Sequence, residues 1–140
     1  MRQSVDLLLV NPGNRVEQFA SLAPLATVAQ PLGIAMLAAY VREHGIGVAI
    51  FDAEAYGLTP VEAADQIESL YNPPLLVGLS AFTTKMTSAG HIMQELKQRW
   101  PETKMMCGGH HPSAIPERTL REEATDFVIK GEGFYPVTEL

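Results

Sequence analysis

The sequence contains only one cysteine, Cys107, among its 140 residues. One thiol cannot form an internal disulfide, and it cannot supply the several thiolates of a cysteine cluster. Basic side chains are also few, with 10 Lys and Arg against 16 Asp and Glu and a formal net charge of −6. No cluster of basic residues interrupts this acidic balance, so a nucleic-acid partner is not expected.

Long apolar runs are absent as well. The run Val5–Val10 has six residues, which is too short for the apolar core of a signal peptide or for a membrane span. We therefore expect a cytoplasmic protein without a membrane span. The contents of 46% hydrophobic and 19% charged residues are typical of a globular protein, and 140 residues suit one domain.

The sequence does contain five short apolar runs that alternate with segments of helical periodicity. Continuous apolar runs are typical of strands buried on both faces of a parallel sheet. Strand–helix alternation predicts right-handed βαβ units and an α/β fold, a flavodoxin-like (Rossmann-like) doubly wound sheet of five parallel strands in the order 2-1-3-4-5. The predicted strands are Val5–Val10, Val48–Phe51, Leu75–Ser80, Lys104–Cys107 and Asp126–Lys130.

Proline and capping signals mark where the intervening helices begin. Pro31 opens the first, and Thr59 with Glu62 forms a capping box for the second. A third helix leads to Trp100, and a short one runs from Pro116 to Glu123. The last helix begins near Phe134 and is truncated at Leu140, so we expect residues 1–140 to be the N-terminal domain of a longer protein.

The loops after strands one, three, four and five share one edge of such a sheet, where open parallel sheets bind ligands. Gly108 and Gly109 end the fourth strand, and glycine allows the backbone to approach a bound molecule closely. Small residues and hydroxyls dominate these loops, without paired carboxylates. This composition predicts a site that holds a bulky ligand, and we assign no catalytic residue.

Several familiar sites are absent from these loops. The first strand is followed by Asn11-Pro12-Gly13-Asn14, which is not the glycine pattern of a dinucleotide site, and there is no P-loop. Asn11 and Ser80 stand where a phosphate-accepting receiver domain needs acidic residues. The four histidines do not supply the three or four ligands of a zinc site, so no protein-bound metal is expected.

Four segments together resemble a known family: Pro31–Ile34, Val77–Ser80, Cys107–Pro112 and Asp126–Gly133. They are similar to the N-terminal cobalamin-binding domain of cobalamin-dependent radical SAM enzymes. That family includes methyltransferases that act on unactivated carbon or phosphorus, and the anaerobic Mg-protoporphyrin monomethyl ester oxidative cyclase. The resemblance covers nearly the whole chain, although no single motif decides it.

The resemblance implies that cobalamin lies on the carboxyl edge of the sheet, with its tail beside strands three and four. Ser80 would offer a hydroxyl to the tail and Gly108-Gly109 would leave room for it, with Gly131-Glu132-Gly133 lining the neighbouring part of the pocket. The long loop before Pro31 would face the corrin and the partner domain. The residues implied to bind the cofactor are Asn11, Tyr56, Ser80, Thr83, Thr84, Lys85, Gly108, Gly109, His110, Gly131, Glu132 and Gly133.

The family also implies a downstream radical SAM domain of the same chain, with a [4Fe-4S] cluster and S-adenosylmethionine. Its three-cysteine signature is not within these residues. The Asp-x-His-x-x-Gly pattern that supplies an axial histidine in methionine synthase is absent too, which predicts cobalamin without a histidine ligand. The alternative is a free-standing flavodoxin-like domain that binds a nucleotide or a protein and no cobalamin.

Overall fold

Five strands form one sheet in the order β2-β1-β3-β4-β5, and all four neighbouring pairs are parallel. The computed structural model describes every residue from Met1 to Leu140. The predicted fold and strand order are therefore confirmed. The strands are β1 (Leu7–Asn11), β2 (Val48–Asp52), β3 (Leu76–Ser80), β4 (Lys104–Gly108) and β5 (Phe127–Val128).

Eight α-helices connect and flank these strands, and two short 3₁₀ helices lie in the loops after β1 and β3. The α-helices are α1 (Arg15–Phe19), α2 (Leu32–Glu43), α3 (Ala53–Tyr56), α4 (Pro60–Leu70), α5 (Met86–Arg99), α6 (His110–Ala114), α7 (Pro116–Glu122) and α8 (Phe134–Glu139). The 3₁₀ helices are Ala20–Leu25 and Thr83–Lys85.

The capping box predicted from Thr59 is present at the start of α4. The Thr59 hydroxyl oxygen accepts a hydrogen bond from the Glu62 N–H at 3.3 Å, and the Glu62 carboxylate accepts one from the Thr59 N–H at 2.8 Å. Pro60 occupies the first helical turn, where its missing N–H costs no hydrogen bond.

The structure differs from the sequence-based expectation in the first strand, in the segment after β2, expected as the loop Ala53–Leu58, and in the fifth strand. The first strand is Leu7–Asn11 and not Val5–Val10. The segment after β2 is the short helix α3 and not an open loop, because the Asp52 carboxylate accepts a hydrogen bond from the Ala55 N–H and caps it. The fifth strand is shorter than Asp126–Lys130. It lies at the edge of the sheet with β4 as its one neighbour, and its hydrogen bonds to β4 continue from Asp126 to Ile129.

Alternating side chains of the strands enter two hydrophobic cores. Leu8 and Val10 belong to a cluster of 19 buried residues that includes side chains of α4 and α5, whereas Leu7 and Leu9 belong to a cluster of 8 buried residues beneath α2 and α8. The α2/α8 side is therefore the less filled face of the sheet. On this face the side chains of Leu9 and Met106 cover Gly78, where a Cβ atom would lie 2.7 Å from Met106 Cε and 3.0 Å from Leu9 Cδ2.

Candidate functional site

A row of small and polar residues crosses the carboxyl edge of the sheet on its α2/α8 face. Asn11 is the register partner of Asp52, and Ser80 is the partner of Gly108. The Asn11 side-chain N–H₂ donates to Asp52 at 2.8 Å, so this buried amide is held in place. Ser80, by contrast, is exposed. The row thus offers a hydroxyl beside the glycine that ends β4.

Gly109 follows with φ of +107°, a backbone conformation that favours glycine. A Cβ atom here would lie 2.8 Å from the Ala81 carbonyl oxygen and 2.9 Å from the Ala81 nitrogen. The sequence-based reason for this glycine, room for a ligand, is therefore incomplete. The contact that requires glycine at position 109 is made by the protein's own backbone.

Gly108 differs from Gly109. A Cβ atom on Gly108 would lie 3.6 Å from the Ile129 Cβ, which is ordinary van der Waals contact. Gly131 has φ of +78° and open space around the position of a Cβ, and its N–H donates to the Ser113 hydroxyl at 3.0 Å. Open space therefore lies beside Gly131, and Gly108 has room for one further atom.

The loops after β3 and β4 are joined by four contacts. The Ala81 N–H donates to the Gly108 carbonyl at 3.0 Å, and the His111 N–H donates to the Ala81 carbonyl at 3.3 Å. His111 Nδ1 also lies 3.1 Å from the Thr83 hydroxyl. Exposed Phe82 stacks on His110 with ring centroids 4.8 Å apart and planes at 16°. Thr83, Gly108, Gly109 and His110 are therefore brought together.

The remaining predicted residues lie on the same edge but not all in one place. Thr84 and Lys85 end the 3₁₀ turn after β3, while Tyr56 is 70% exposed at the end of α3. Glu132 is exposed in the loop after β5, and Gly133 packs near Leu37 of α2. Tyr56 follows β2 and the Gly131–Gly133 loop follows β5, so four strand spacings, about 19 Å, separate these two ends.

A cleft of about 690 Å³ lies at the opposite end of the sheet. Leu7, Leu76, Phe127, Val137 and Leu140 supply much of its lining. Because ligands of open parallel sheets bind at the carboxyl ends of the strands, we place the candidate site at the edge with Ser80 and Gly108 and not in this cleft.

No group of three or more His, Cys, Asp and Glu side chains is arranged to hold a metal ion. His44 Nδ1 lies 2.9 Å from the Tyr40 carbonyl in the last turn of α2. Burial raises the pKa of the Cys107 thiol to about 12, with a smaller contribution from Glu123. No helix combines the length and hydropathy that a bilayer crossing requires.

Sequence reasoning missed three residues at this edge: Asn14, Glu54 and Phe82. Glu54 is buried in α3, and its carboxylate accepts a hydrogen bond from the Asn14 N–H at 2.8 Å. Nothing in the sequence indicates that the segment after β2 reaches the loop after β1. Phe82 did carry a signal, since it is an aromatic residue between Ala81 and two threonines in a loop.

Residues 20–140 match the family model described as the B12 binding domain. Over 117 residues, 83% of this chain, the sequence is 35% identical to an uncharacterized methyltransferase, PH0819, of Pyrococcus horikoshii. The chain spans only 25% of that relative's length.

Two solved structures of the radical S-adenosylmethionine methyltransferase TsrM from Kitasatospora setae have the same fold. The one with cobalamin and a [4Fe-4S] cluster bound superposes with a TM-score of 0.74 over 99% of this chain at 19% identity. The one with tryptophan and a SAM analogue bound superposes with a TM-score of 0.76 over 95% of this chain at 18% identity. In both cases the match covers 24% of the TsrM chain.

Proposed function

Because this chain belongs to the B12-binding domain family, we propose that it binds cobalamin at the carboxyl edge of its sheet as one module of a radical SAM enzyme. The observation that carries the proposal is the pairing of exposed Ser80 with Gly108 on the less filled face of the sheet. The tail of the cofactor would lie beside β3 and β4, where the Ser80 hydroxyl is available and Gly108 presents no side chain.

The residues of this edge fit a bulky cofactor in three respects. A Cβ on Gly131 would meet no atom within 4 Å, so open space adjoins the loop after β5. Thr83 and Thr84 are exposed and can offer hydroxyls to amide side chains of a corrin. Tyr56 is exposed at the β2 end of the same edge.

When bound, cobalamin supplies the cobalt chemistry of methyl transfer or oxidative cyclisation, and the residues of this domain hold and orient it. Asn11, Thr83, Thr84 and Lys85 would contact the corrin or its amides, and Glu132 and Gly133 would border the tail. We propose no protein group that moves a proton, and we propose that no histidine binds the cobalt.

The segment between β1 and α2 and the first turns of α2 expose a series of apolar side chains. Leu25 is 82% exposed and Leu32 66%, and the remaining members are Val16, Phe19, Leu22, Val28 and Met36. Exposed apolar surface of this extent is typical of an interaction surface. We propose that it faces the corrin and a radical SAM domain of the same chain, which would bind the [4Fe-4S] cluster and S-adenosylmethionine.

The test of cobalamin binding is an absorption titration of the purified domain with hydroxocobalamin, followed by gel filtration. We expect a changed cobalt spectrum and co-elution at one cofactor per chain. A flavin nucleotide, FMN, is the control for the alternative, nucleotide-binding reading. A domain that binds FMN and leaves the hydroxocobalamin spectrum unchanged would contradict the proposal.

The apolar segment is tested with Leu25→Ser. A weaker hydroxocobalamin affinity of the isolated domain would assign Leu25 to the corrin. An unchanged affinity, together with lost activity in the longer protein, would assign it to the domain contact. The radical SAM assignment itself requires Cys-x-x-x-Cys-x-x-Cys downstream in the full reading frame.

A further inference from the structure

Glu54 is the one charged side chain among the buried residues, with 8% of its surface exposed. It lies in α3, directly after β2. A buried carboxylate is costly unless hydrogen bonds and opposite charges compensate its lost hydration. The location of its partners therefore shows which parts of the structure this side chain joins.

The partners of Glu54 come from two different loops. Its Oε2 accepts the backbone N–H of Asn14, in the loop after β1, at 2.8 Å. The same oxygen lies 3.9 Å from Nζ of Lys85, in the loop after β3. Gly13 allows this arrangement, since a Cβ on it would lie 3.0 Å from the carboxylate and 3.1 Å from the Glu54 Cα.

A further hydrogen bond closes the connection between these two loops. The Asn14 side-chain N–H₂ donates to the Thr84 carbonyl at 2.9 Å. Since β1 lies between β2 and β3, the three loops that follow these strands are neighbours. Glu54 and Asn14 therefore link all three. Asn11 ends β1, and Thr83, Thr84 and Lys85 lie in the loop after β3. These are the residues proposed above to contact the corrin or its amides.

We propose that Glu54 is a positioning residue for the ligand at this edge. It does not contact the cofactor. It fixes the loop after β1 and the Lys85 side chain before binding, so that the loops need not be ordered when the ligand arrives. This inference rests on the proposed cobalamin function. Without the carboxylate, the loops become ordered only when the ligand binds. The entropic cost of that ordering then lowers the binding affinity.

Glu54→Gln is the decisive variant. The amide oxygen can still accept the Asn14 N–H, whereas the charge that faces Lys85 is lost. We expect the hydroxocobalamin dissociation constant to rise about tenfold, because the ion pair with Lys85 is lost and the hydrogen bond from Asn14 is weakened without the charge, while the melting temperature changes little. Glu43→Gln, at the exposed end of α2, is the control and should leave affinity unchanged.

Two further measurements separate positioning from a general structural role. Amide hydrogen exchange of the ligand-free protein should accelerate at Asn14 and in the Thr83–Lys85 turn, but not in β3 or β4. The combination of Glu54→Gln with Lys85→Met should be less than additive in binding free energy, because the two side chains form one pair.

The outcomes distinguish this inference from the proposed function. If the unaltered domain fails to bind hydroxocobalamin, the proposed function is wrong and Glu54 positions no cobalamin. If the unaltered domain binds and Glu54→Gln binds equally well, with unchanged exchange at Asn14, the cofactor function stands and the role of Glu54 is overturned.

Discussion

Gly109 packs directly against Ala81, and a methyl group on Gly109 would lie 2.8 Å from the Ala81 carbonyl oxygen. Its φ of +107° adds a conformational penalty for any other residue. We expect Gly109→Ala to destabilise the fold by about 2–4 kcal/mol, which lowers the melting temperature of a chain of this size by roughly 10 °C. A thermal melt of the ligand-free protein measures this effect.

Gly108→Ala is the matched variant for the ligand. Its added methyl group meets only ordinary contact with Ile129, so the melting temperature should remain close to that of the parent. If the cofactor tail passes beside Gly108, the methyl group should still lower hydroxocobalamin affinity by at least tenfold, about 1.4 kcal/mol. If Gly108→Ala binds hydroxocobalamin as tightly as the parent does, the cofactor tail does not pass beside Gly108.

The contrast between Gly108 and Gly109 shows which features of this edge can be predicted from the sequence. The Gly-Gly pair after an apolar run correctly predicts where the fourth strand ends, at Gly108 on the carboxyl edge of the sheet. Only the folded backbone shows that Gly109 faces Ala81, which is 28 positions away along the chain. A contact between two strand ends depends on the register of β3 with β4, and periodicity alone does not fix that register.

The strands were predictable because both faces of the sheet are buried, Leu8 and Met105 on the α4/α5 face and Leu9 and Met106 on the α2/α8 face, which gives continuous apolar runs. Glu54 was not predictable for the opposite reason. A charged residue after a strand is ordinarily a solvated loop residue, and its burial arises from the approach of Gly13 and Asn14.

Ser80→Ala tests the hydroxyl that we assign to the cofactor tail. The exposed hydroxyl is not part of the core, so the fold should be unaffected. We expect hydroxocobalamin affinity to fall by ~0.5–1.5 kcal/mol, the net value of one hydrogen bond. Ser69→Ala in α4 is the control, since its hydroxyl donates to the Gln66 carbonyl within the helix. Equal affinities of both variants would argue against a bond from Ser80.

Asp126 should make the fold sensitive to acid. Burial by itself raises the pKa of Asp126, but the hydrogen bond from the Met105 N–H and the ion pair with Lys97 at 3.0 Å outweigh it and hold the pKa below its ordinary value of 3.8. Because the pKa is lower in the folded state, the ionised carboxylate stabilises the fold at pH values above 3.8. This stabilisation is lost as the pH falls through the folded-state pKa.

Asp126→Asn should therefore lower the free energy of unfolding by about 1–2 kcal/mol at pH 7, and the difference from the parent should shrink towards pH 3. Urea unfolding at the two pH values measures this. Glu122→Gln removes the exposed pair of Arg118 and Glu122 and should change stability by less than ~0.5 kcal/mol. If Asp126→Asn lowers the free energy of unfolding equally at both pH values, the ion pair is not the cause of the lost stability.

Cys107 should be unreactive in the folded protein. Its thiol is fully buried, and burial raises its pKa from 9.0 to about 12. A thiol reagent such as DTNB should react at pH 8 only at the rate of unfolding. Because the folded-state pKa is the higher one, stability should decrease as the pH rises from about 9 towards 12, and Cys107→Ala should lack this contribution. Rapid labelling of the native protein would contradict the burial of this strand end.

His110 and His111 test the proposal that no histidine binds the cobalt. His110 is exposed and stacked on Phe82, and His111 Nδ1 faces the Thr83 hydroxyl. We expect the visible spectrum of bound hydroxocobalamin to be the same in His110→Ala, in His111→Ala and in the parent. Affinity can fall in either variant, because each change removes a contact between the loops after β3 and β4.

The spectrum is the informative measurement, since it reports the ligands of the cobalt and not the strength of binding. Phe82→Leu is the control for His110→Ala: it removes the aromatic stack but leaves the imidazole in place. A spectral change in His110→Ala that is absent in Phe82→Leu would identify His110 as a cobalt ligand. That result would replace the histidine-free proposal with a histidine supplied from the loop after β4.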